Sequence, residues 1–289
     1  MGKKYPFLLS IITDEISQDP EVAIELVEQY GFDGVELRSV WNSPIEELPD
    51  DRIRVLAERL KKSGIQVSAI SSSLLKTDWA LVDFEKYSRL VNACKILDCS
   101  TIRAFSFWKS EKYTDDKFAL ILETLDNLLE KDNLQMVIEN DPAVNLSTGM
   151  DLASFFRKNA YSRIGILWDP GNDIYTCGSA ICPYPDEYQA VKQYVRHVHV
   201  KDAVHRNGEG IGVALGEGWM DFIGQFEALK SDQYSGWVVL EPHYRLEGGI
   251  AEDLLKRPGG AAFSENGYLP SKICMENLVR MLDQISMGK

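Results

Sequence analysis

The sequence has no excess of positive charge and no run of basic residues longer than two. Its 31 lysines and arginines are outnumbered by 44 aspartates and glutamates, which gives a formal net charge of −13 over 289 residues. A field of this sign repels nucleic-acid phosphates and anionic lipid headgroups. The composition therefore argues against a nucleic-acid partner and against a membrane partner.

Paired cysteines and long apolar runs are also missing. The five cysteines are an odd number and form no CxxC motif, which is the usage expected of reduced thiols and favours the cytoplasm. Near the N-terminus, the apolar run at residues 7–12 stops before Asp14 and Glu15. It is too short for a signal peptide or a membrane span, so we interpret it as a β-strand.

The chain does contain a regular alternation of two patterns. Short apolar runs rich in β-branched residues predict eight strands, and longer stretches of helical period lie between them. The predicted strands are 7–12, 34–38, 66–71, 101–105, 135–140, 164–169, 196–201 and 237–241. The predicted helices are 20–30, 51–63, 85–97, 115–131, 151–158, 187–195, 222–229 and 271–285.

This alternation predicts the fold class. Strands that are joined by helices run parallel, and eight such units are what a closed barrel needs, whereas an open doubly wound sheet usually has fewer. No linker or break in composition divides the chain. We therefore expect an α/β protein with a single (β/α)8 TIM barrel, in one domain that spans residues 1–289.

Polar residues end four consecutive predicted strands, the fifth to the eighth, at Glu139, Asp169, His199 and Glu241. In such a barrel the C-terminal ends of the strands form the functional face. Each residue alone has an ordinary explanation; a single histidine there is more often a hydrogen-bonded core residue. Neighbouring buried carboxylates, however, repel each other unless they are protonated or bridged by a cation. We therefore expect these four residues to bind one divalent metal ion.

The type of donor suggests which metal. Three carboxylates and one imidazole favour a hard, roughly octahedral ion, whereas a thiolate-rich set would indicate zinc. The expected cofactor is one Mn²⁺ or Mg²⁺ ion, with Co²⁺ or Zn²⁺ as alternatives.

The same strand ends resemble a known family. The resemblance rests on the segments IEN at 138–140, WDPGN at 168–172, HVHVKD at 197–202, GEG at 216–218 and LEP at 240–242. They resemble the xylose isomerase-like TIM barrel superfamily (sugar phosphate isomerases and epimerases, AP endonuclease family 2), which also includes inosose dehydratase and endonuclease IV. The segments SIITDEIS at 10–17 and GFDGVELR at 31–38 are similar too, so the resemblance covers essentially the whole chain.

The resemblance to ketose 3-epimerases implies roles for the four residues. It implies that Glu139 and Glu241 bind the metal and also act as the catalytic acid and base, while Asp169 and His199 complete the metal shell. It also suggests a homodimer or a higher homo-oligomer. Two departures limit the choice of relative. Endonuclease IV needs more histidines than the four present here, and ketose epimerases commonly have a histidine where this chain has Asn172, which argues against the usual ketohexose substrate.

The expected function is a divalent-metal-dependent isomerase or epimerase of a sugar or sugar phosphate. It would remove the proton α to a carbonyl and form an enediolate that the metal stabilises. Glu139 and Glu241 come from non-adjacent strands, so one can remove the proton and the other return it. Two alternatives stay open: a lyase of the inosose-dehydratase type, and a non-catalytic barrel that binds a sugar acid.

Other strand-end residues are candidate ligands of a small-molecule carbohydrate substrate. Arg38 ends the second predicted strand and Lys201 has the same side-chain parity as His199, so both can point toward the mouth. Asn172 follows the expected metal aspartate. His197 has the parity of His199 but lies one layer deeper, where a supporting or core position is favoured.

Two further expectations concern neighbours of these residues. An ion pair of Arg38 or Arg103 with Glu36 is an equally weighted alternative to substrate binding by Arg38. The long stretch 243–270 has five glycines and no clear period, which predicts a lid over the site or a contact with another subunit. The glycine-rich segment 208–212 lies in a long connection rather than a tight strand-to-helix turn, so we discount it as a nucleotide loop.

Overall fold

Eight parallel strands close into a barrel in the computed structural model, which describes residues 4–79, 81–247 and 249–286. Consecutive strands pair side by side, and the first also pairs with the last through Leu8 and Trp237. The strands are β1 (Leu8–Ile12), β2 (Gly34–Leu37), β3 (Gln66–Leu74), β4 (Thr101–Ala104), β5 (Gln135–Glu139), β6 (Ile164–Trp168), β7 (Val195–Val200) and β8 (Trp237–Leu240). The predicted fold class, a single (β/α)8 TIM barrel, is confirmed.

Helices connect the strands and surround the barrel. They are α1 (Pro20–Tyr30), α2 (Asp50–Lys62), α3 (Phe84–Leu97), α4 (Asp115–Asp132), α5 (Gly149–Lys158), α6 (Pro170–Cys177), α7 (Tyr188–Val191), α8 (Phe222–Ser231), α9 (Glu252–Lys256), α10 (Gly260–Ser264) and α11 (Tyr268–Ser286). Short 3-10 turns lie at Thr13–Glu15, Ile45–Glu47 and Gly178–Ala180, and a π-helical turn at Pro183–Glu187. Among the described residues, no helix is both long and apolar enough to cross a membrane.

Helix α1 shows how the sequence sets these boundaries. The Asp19 side chain accepts a hydrogen bond from the Glu21 backbone N–H, and Pro20 occupies the first turn, where its missing N–H is not needed. Gly31 ends the helix in the left-handed conformation, with φ of 64°. The apolar face of the helix, which includes Leu26, is buried. The predicted bounds of this helix match the structure.

One predicted helix was too long, and one observed helix was not predicted. The predicted helix 187–195 is only the short α7, because Val195 pairs with Ile166 and already belongs to β7, so strand pairing overrides the helical period. The sequence analysis assigned no helix to the segment that begins at Asp169. This segment starts α6: the Asp169 side chain accepts hydrogen bonds from the Gly171 and Asn172 backbone N–H groups, and Pro170 occupies the first turn.

The connection after β7 has a structure of its own. Residues Asp202–Arg206 and Glu209–Val213 pair as an antiparallel hairpin, which lies over the open end of the barrel. The Asp202 carboxylate anchors the following loop by accepting hydrogen bonds from Gly216 N at 2.8 Å and Gly218 N at 2.9 Å. A side chain at Gly218 would collide with this carboxylate. The GEG tripeptide therefore wraps around the aspartate of the HVHVKD segment.

Candidate active site

The carboxyl-terminal ends of β5 to β8 bring four side chains together. Glu139 ends β5, Asp169 follows β6, His199 lies in β7 and Glu241 follows β8. One ligand atom of each lies within 4.8 Å of the others, and all four side chains are buried. The structure thus assembles the four predicted metal ligands into one cluster, which we call the quartet. Metal binding by the quartet stays a prediction.

The orientation of His199 tests whether these residues fit a metal ion. Its Nε2 lies 2.9 Å from Oε1 of Glu36, on β2. An ionised carboxylate only accepts hydrogen bonds, so Nε2 carries a proton. The other ring nitrogen, Nδ1, faces Glu241 Oε2 at 3.4 Å and Glu139 Oε1 at 3.5 Å, and no described residue gives it a hydrogen-bond partner. A divalent cation between these donors would satisfy all of them, so the residues fit the ion.

Lys201 provides positive charge inside the quartet. Its Nζ lies 2.8 Å from Asp169 Oδ2 and 2.9 Å from Glu241 Oε2. Burial by itself would lower the pKa of Lys201, but attraction to Asp169 and Glu241 raises this pKa well above its usual value. The ammonium group is therefore charged at neutral pH, and it occupies carboxylate oxygens that a metal ion would also use.

Two arginines form ion pairs with Glu139 and Glu241, the candidate catalytic residues. Arg103 Nη1 lies 3.1 Å from Glu139 Oε2, and Arg38 Nη1 lies 2.8 Å from Glu241 Oε1. Burial favours the neutral form of Glu139, but Arg103 and His199 together outweigh burial and lower the pKa of this carboxyl to about 2. Burial is likewise outweighed at Glu241, where Lys201 holds the pKa well below its usual value. Both carboxylates are therefore ionised at neutral pH, as metal ligands must be.

Beneath the quartet lies a second group of buried residues, Glu36, His197 and His199, which we call the lower cluster. The Glu36 carboxylate accepts from both imidazoles, at 2.7 Å for His197 Nε2 and 2.9 Å for His199 Nε2. The hydroxyl group of Ser71 donates to the same carboxylate. His197 does not line the cavity described below, and its role as a substrate ligand stays a prediction.

The alternative ion pair of Glu36 with an arginine does not form. Glu36 contacts the two histidines, whereas Arg38 Nη2 lies 2.8 Å from Asp14 and 2.9 Å from Glu15. These two acidic residues follow β1, and the sequence analysis gave them no role at the site. They could have been found by extending to β1 the strand-end rule that was applied to β5 to β8.

Asn172 lies beside the quartet at the start of α6. Its Nδ2 donates to the Asn140 carbonyl at 2.7 Å and lies 3.2 Å from Asp169 Oδ2 and 3.3 Å from Glu139 Oε1. The side chain therefore positions two predicted metal ligands, and it also lines the cavity.

A cavity of about 1280 Å³ opens above the quartet. Its inner wall includes the predicted residues Arg38, Glu139, Asn172, Lys201 and Glu241, while Asp169 and His199 lie below its surface. Residues of the stretch 243–270 line its outer end, among them Arg257. Glu139 and Glu241 reach the cavity from different strands, so they can approach a bound substrate from different sides.

Comparisons with known proteins place the chain among barrels of this kind. A family model described as "Xylose isomerase-like TIM barrel" matches residues 24–258. Inosose dehydratase from Geobacillus thermodenitrificans is 20% identical over 156 residues, which are 47% of this chain and 50% of that protein. The chain thus spans about half the length of this curated relative.

Two solved structures are similar over almost the whole chain. The IOLI protein with a binding zinc atom has a TM-score of 0.70 at 16% identity, and the match covers 96% of this chain and 99% of that one. An L-ribulose 3-epimerase has a TM-score of 0.67 at 16% identity, and the match covers 96% of this chain and 95% of the other. At these identities the likeness shows the fold alone.

Proposed function

Since the chain belongs to the xylose isomerase-like TIM barrel family, as its sequence resemblance indicated, we propose that it is a metal-dependent isomerase or epimerase of a carbohydrate. The observation that carries the proposal is the buried His199 Nδ1, which lies between Glu139 and Glu241 without a hydrogen-bond partner among the described residues. This atom is placed to bind a cation, and the two carboxylates beside it are placed to move protons.

The quartet would hold one divalent ion, with Mn²⁺ or Mg²⁺ expected and Zn²⁺ kept as an alternative by the zinc-containing neighbour. When bound, the ion would polarise a substrate carbonyl and stabilise the negative charge that develops as the α-proton leaves. Arg38 and Asn172 line the cavity next to the quartet, so they would orient the hydroxyl groups of the substrate.

The surroundings of the two glutamates suggest which one acts as the base. Glu241 lies within 3.4 Å of Arg38, Lys201 and His243, so protonation there is opposed by several positive groups. Glu139 has fewer such partners and takes up a proton more easily, which favours it as the base that removes the α-proton.

The return of the proton can be assigned in the same way. The Lys201 ammonium group lies 2.9 Å from Glu241 Oε2 and keeps this carboxylate ionised, so Glu241 would first take up a proton from water in the cavity. Glu241 would then return a proton to the substrate from the other side, which gives epimerisation. Return to the neighbouring carbon would give isomerisation.

A dehydratase of the inosose type is the second candidate, and the matching relative favours it. Dehydration starts with the same α-proton abstraction but then needs an acid for the departing hydroxyl group. His243, whose Nε2 lies 3.4 Å from Glu241 Oε1, is placed to serve as that acid. A non-catalytic sugar-binding barrel is less favoured because all four quartet residues are present.

The broader setting also belongs to this proposal. We infer one domain over residues 1–289, a small-molecule carbohydrate substrate, and a cytoplasmic location from the odd number of cysteines without a CxxC motif. A homodimer or larger homo-oligomer follows from the family resemblance alone.

Hydrogen exchange in D₂O tests the chemistry directly. The Mn²⁺-loaded protein is incubated with ketoses, ketose phosphates and inososes, and mass spectrometry then measures non-exchangeable deuterium. We expect uptake that needs metal and is lost in Glu139→Gln, while Glu187→Gln, a buried glutamate outside the cavity, keeps it. Loss of water from the product would identify a dehydratase. No uptake with metal bound would contradict the proposed reaction, and no metal binding would contradict the metal site.

A further inference from the structure

The cavity is larger than a single sugar ring requires. Pockets for small ligands usually have volumes of roughly 300–1,000 Å³, and this one has about 1280 Å³. The quartet and its neighbours account for the inner part. The outer part is lined by Lys76, Phe105, Trp108 and Asp141, which we call the outer subsite, and the proposed reaction does not use them.

The strands place the outer subsite directly above the quartet. Lys76 follows β3, Phe105 and Trp108 follow β4, and Asp141 lies two residues beyond Glu139 at the end of β5. An extended chain rises about 3.3 Å per residue, so the Asp141 backbone lies at most roughly 7 Å beyond that of Glu139. This separation is comparable to the length of one sugar ring, so a ligand with one ring at the quartet and a second ring beside Asp141 fits the spacing.

The polar groups of the outer subsite are fixed in place. Lys76 Nζ lies 2.7 Å from Asp141 Oδ2, and their side chains are only 4% and 13% exposed. Asp141 Oδ1 also accepts a hydrogen bond from the Ala143 backbone N–H at 2.9 Å. Burying an ion pair costs free energy that its own attraction often does not recover. A pair held this way at the mouth of a cavity is well suited to bind a ligand.

Charge and shape indicate the class of ligand. The Lys76–Asp141 pair is neutral overall and offers both donors and acceptors, which suits hydroxyl groups. Around it, the acidic lining residues outnumber the basic ones (Glu46, Asp78, Asp141, Glu209 and Glu252 against Lys76, Lys256 and Arg257), which disfavours a phosphate group. Phe105 is buried beneath Lys76, whose Nζ lies 4.5 Å from the ring centre, so the partly exposed Trp108 provides the aromatic surface on this wall. Flat aromatic rings bind the apolar faces of other rings. The surroundings therefore favour an uncharged sugar ring.

Residues between 249 and 260 border the outer end of this space. Arg257 lies over the Trp108 ring, 5.5 Å from its centre, and the backbone N–H of Gly260 donates to Ser39 Oγ at 2.9 Å. These contacts attach the segment to the barrel rim at Trp108 and at Ser39, so it lies beside the outer subsite.

We propose that the outer subsite binds the second, non-reacting ring of a glycoside whose ketose ring lies at the quartet. This inference rests on the proposed function, because it takes the reacting ring to lie at the metal ligands. The substrate class would then be a disaccharide or another sugar glycoside rather than a free monosaccharide or a sugar phosphate.

Calorimetric titration of the Mn²⁺-loaded protein with matched sugars tests this. The probes are D-fructose, its 4-O-glycosides lactulose and maltulose, and D-fructose 6-phosphate. We expect each disaccharide to bind at least about tenfold more tightly than D-fructose, which corresponds to about 1.4 kcal/mol. In the double variant Lys76→Gln/Asp141→Asn, and separately in Trp108→Ala, this ratio should fall to about one.

A matched control removes a surface ion pair instead. The pair Lys95–Asp132, at 3.3 Å between α3 and α4, lies outside the cavity, so Lys95→Gln/Asp132→Asn should keep the wild-type ratio. Equal binding of D-fructose and the disaccharides, or a preference for D-fructose 6-phosphate, would overturn the outer subsite and leave the proposed function standing. Absence of Mn²⁺-dependent binding of all four sugars would overturn the outer subsite as a site for ketose glycosides, whereas the proposed function is overturned only if the D₂O panel also shows no metal-dependent uptake.

Discussion

The quartet and the lower cluster share His199, yet they differ in how fully their atoms are paired. In the lower cluster, one carboxylate meets two imidazoles, and both oxygens of Glu36 have donors at 2.7 and 2.9 Å. In the quartet, three carboxylates surround one imidazole nitrogen that has no hydrogen-bond partner among the described residues. Both groups bring ligand atoms close enough for a metal, so proximity alone does not identify a metal site.

Charge separates the two clusters more clearly. The lower cluster has one negative group, which its imidazole N–H donors satisfy. The quartet has three negative groups and needs Lys201 and Arg103 to balance them. A structural cluster is complete as it stands, whereas a metal-binding cluster leaves lone pairs and negative charge for the ion.

A third group supports this distinction. Glu15, Glu241 and His243 also lie close enough to share an ion. Arg38 already bridges the two carboxylates, at 2.9 Å from Glu15 and 2.8 Å from Glu241. The guanidinium group therefore occupies the position between them, and we do not assign a metal to this group.

The substitution His199→Ala should have the largest effect, because it breaks both clusters. It removes a ligand from the quartet and leaves Glu36 with one imidazole partner. We expect Mn²⁺ affinity to fall by more than about 100-fold and the unfolding free energy of the metal-free protein to fall by about 4 kcal/mol. Calorimetric titration and urea denaturation measure the two effects. Retention of wild-type Mn²⁺ affinity would remove His199 from the metal site.

Replacing Lys201 with methionine should affect the quartet alone. Without the ammonium group, Asp169 and Glu241 are buried without their main cation, so the metal-free protein should lose about 3 kcal/mol of unfolding free energy. Saturating Mn²⁺ should then raise the melting temperature more in Lys201→Met than in the wild type, because the ion replaces the lost charge. An equal rise in both proteins would show that Lys201 and the ion do not share a position.

The substitution Glu36→Gln tests the lower cluster as a support for the upper one. Glutamine has one acceptor oxygen, so it can accept a hydrogen bond from only one of the two imidazoles. The tautomer of His199 with the proton on Nε2 is then less favoured, and this is the tautomer that leaves the Nδ1 lone pair free to bind a metal. We expect a 10- to 100-fold loss of Mn²⁺ affinity, and ¹⁵N NMR of the histidine rings should show a changed tautomer at His199. Glu187→Gln serves as the control. Unchanged affinity together with an unchanged tautomer would assign Glu36 to stability only.

These contrasts also show what could be predicted from the sequence. The barrel and the quartet could be predicted because strand ends can be identified along the chain, and the strand ends of a parallel barrel meet at one face. The residues that contact the quartet could not be predicted in the same way. Glu36 reaches His199 from β2, and which side chains meet across a barrel depends on register and side-chain direction. The helix predicted at 187–195 failed for a related reason, since pairing with β6 decided the state of Val195.

Asp173 is a buried carboxylate that belongs neither to the quartet nor to the lower cluster. Its substitution should have the smallest effect on stability, and it tests what distinguishes a structural carboxylate from a metal ligand. It accepts hydrogen bonds from amide groups, Asn140 Nδ2 at 2.9 Å and Gly149 N at 3.2 Å. Burial raises the pKa of Asp173 well above its usual value, and nearby Glu187 adds repulsion. The folded state thus favours the protonated form. This stabilisation is present at pH values below the unfolded pKa of about 3.9 and is lost as the pH rises toward the folded pKa.

The substitution Asp173→Asn should remove this pH dependence, because an asparagine oxygen keeps both hydrogen bonds without carrying charge. Relative to the wild type, the variant should gain about 1 kcal/mol of unfolding free energy at pH 8 and less at pH 5. Urea denaturation of both proteins at the two pH values measures the difference. No gain for the variant at either pH would mean that Asp173 is charged in the folded state and stabilised as Glu139 and Glu241 are. Lack of a neighbouring cation would then not distinguish a structural carboxylate from a metal ligand in this barrel.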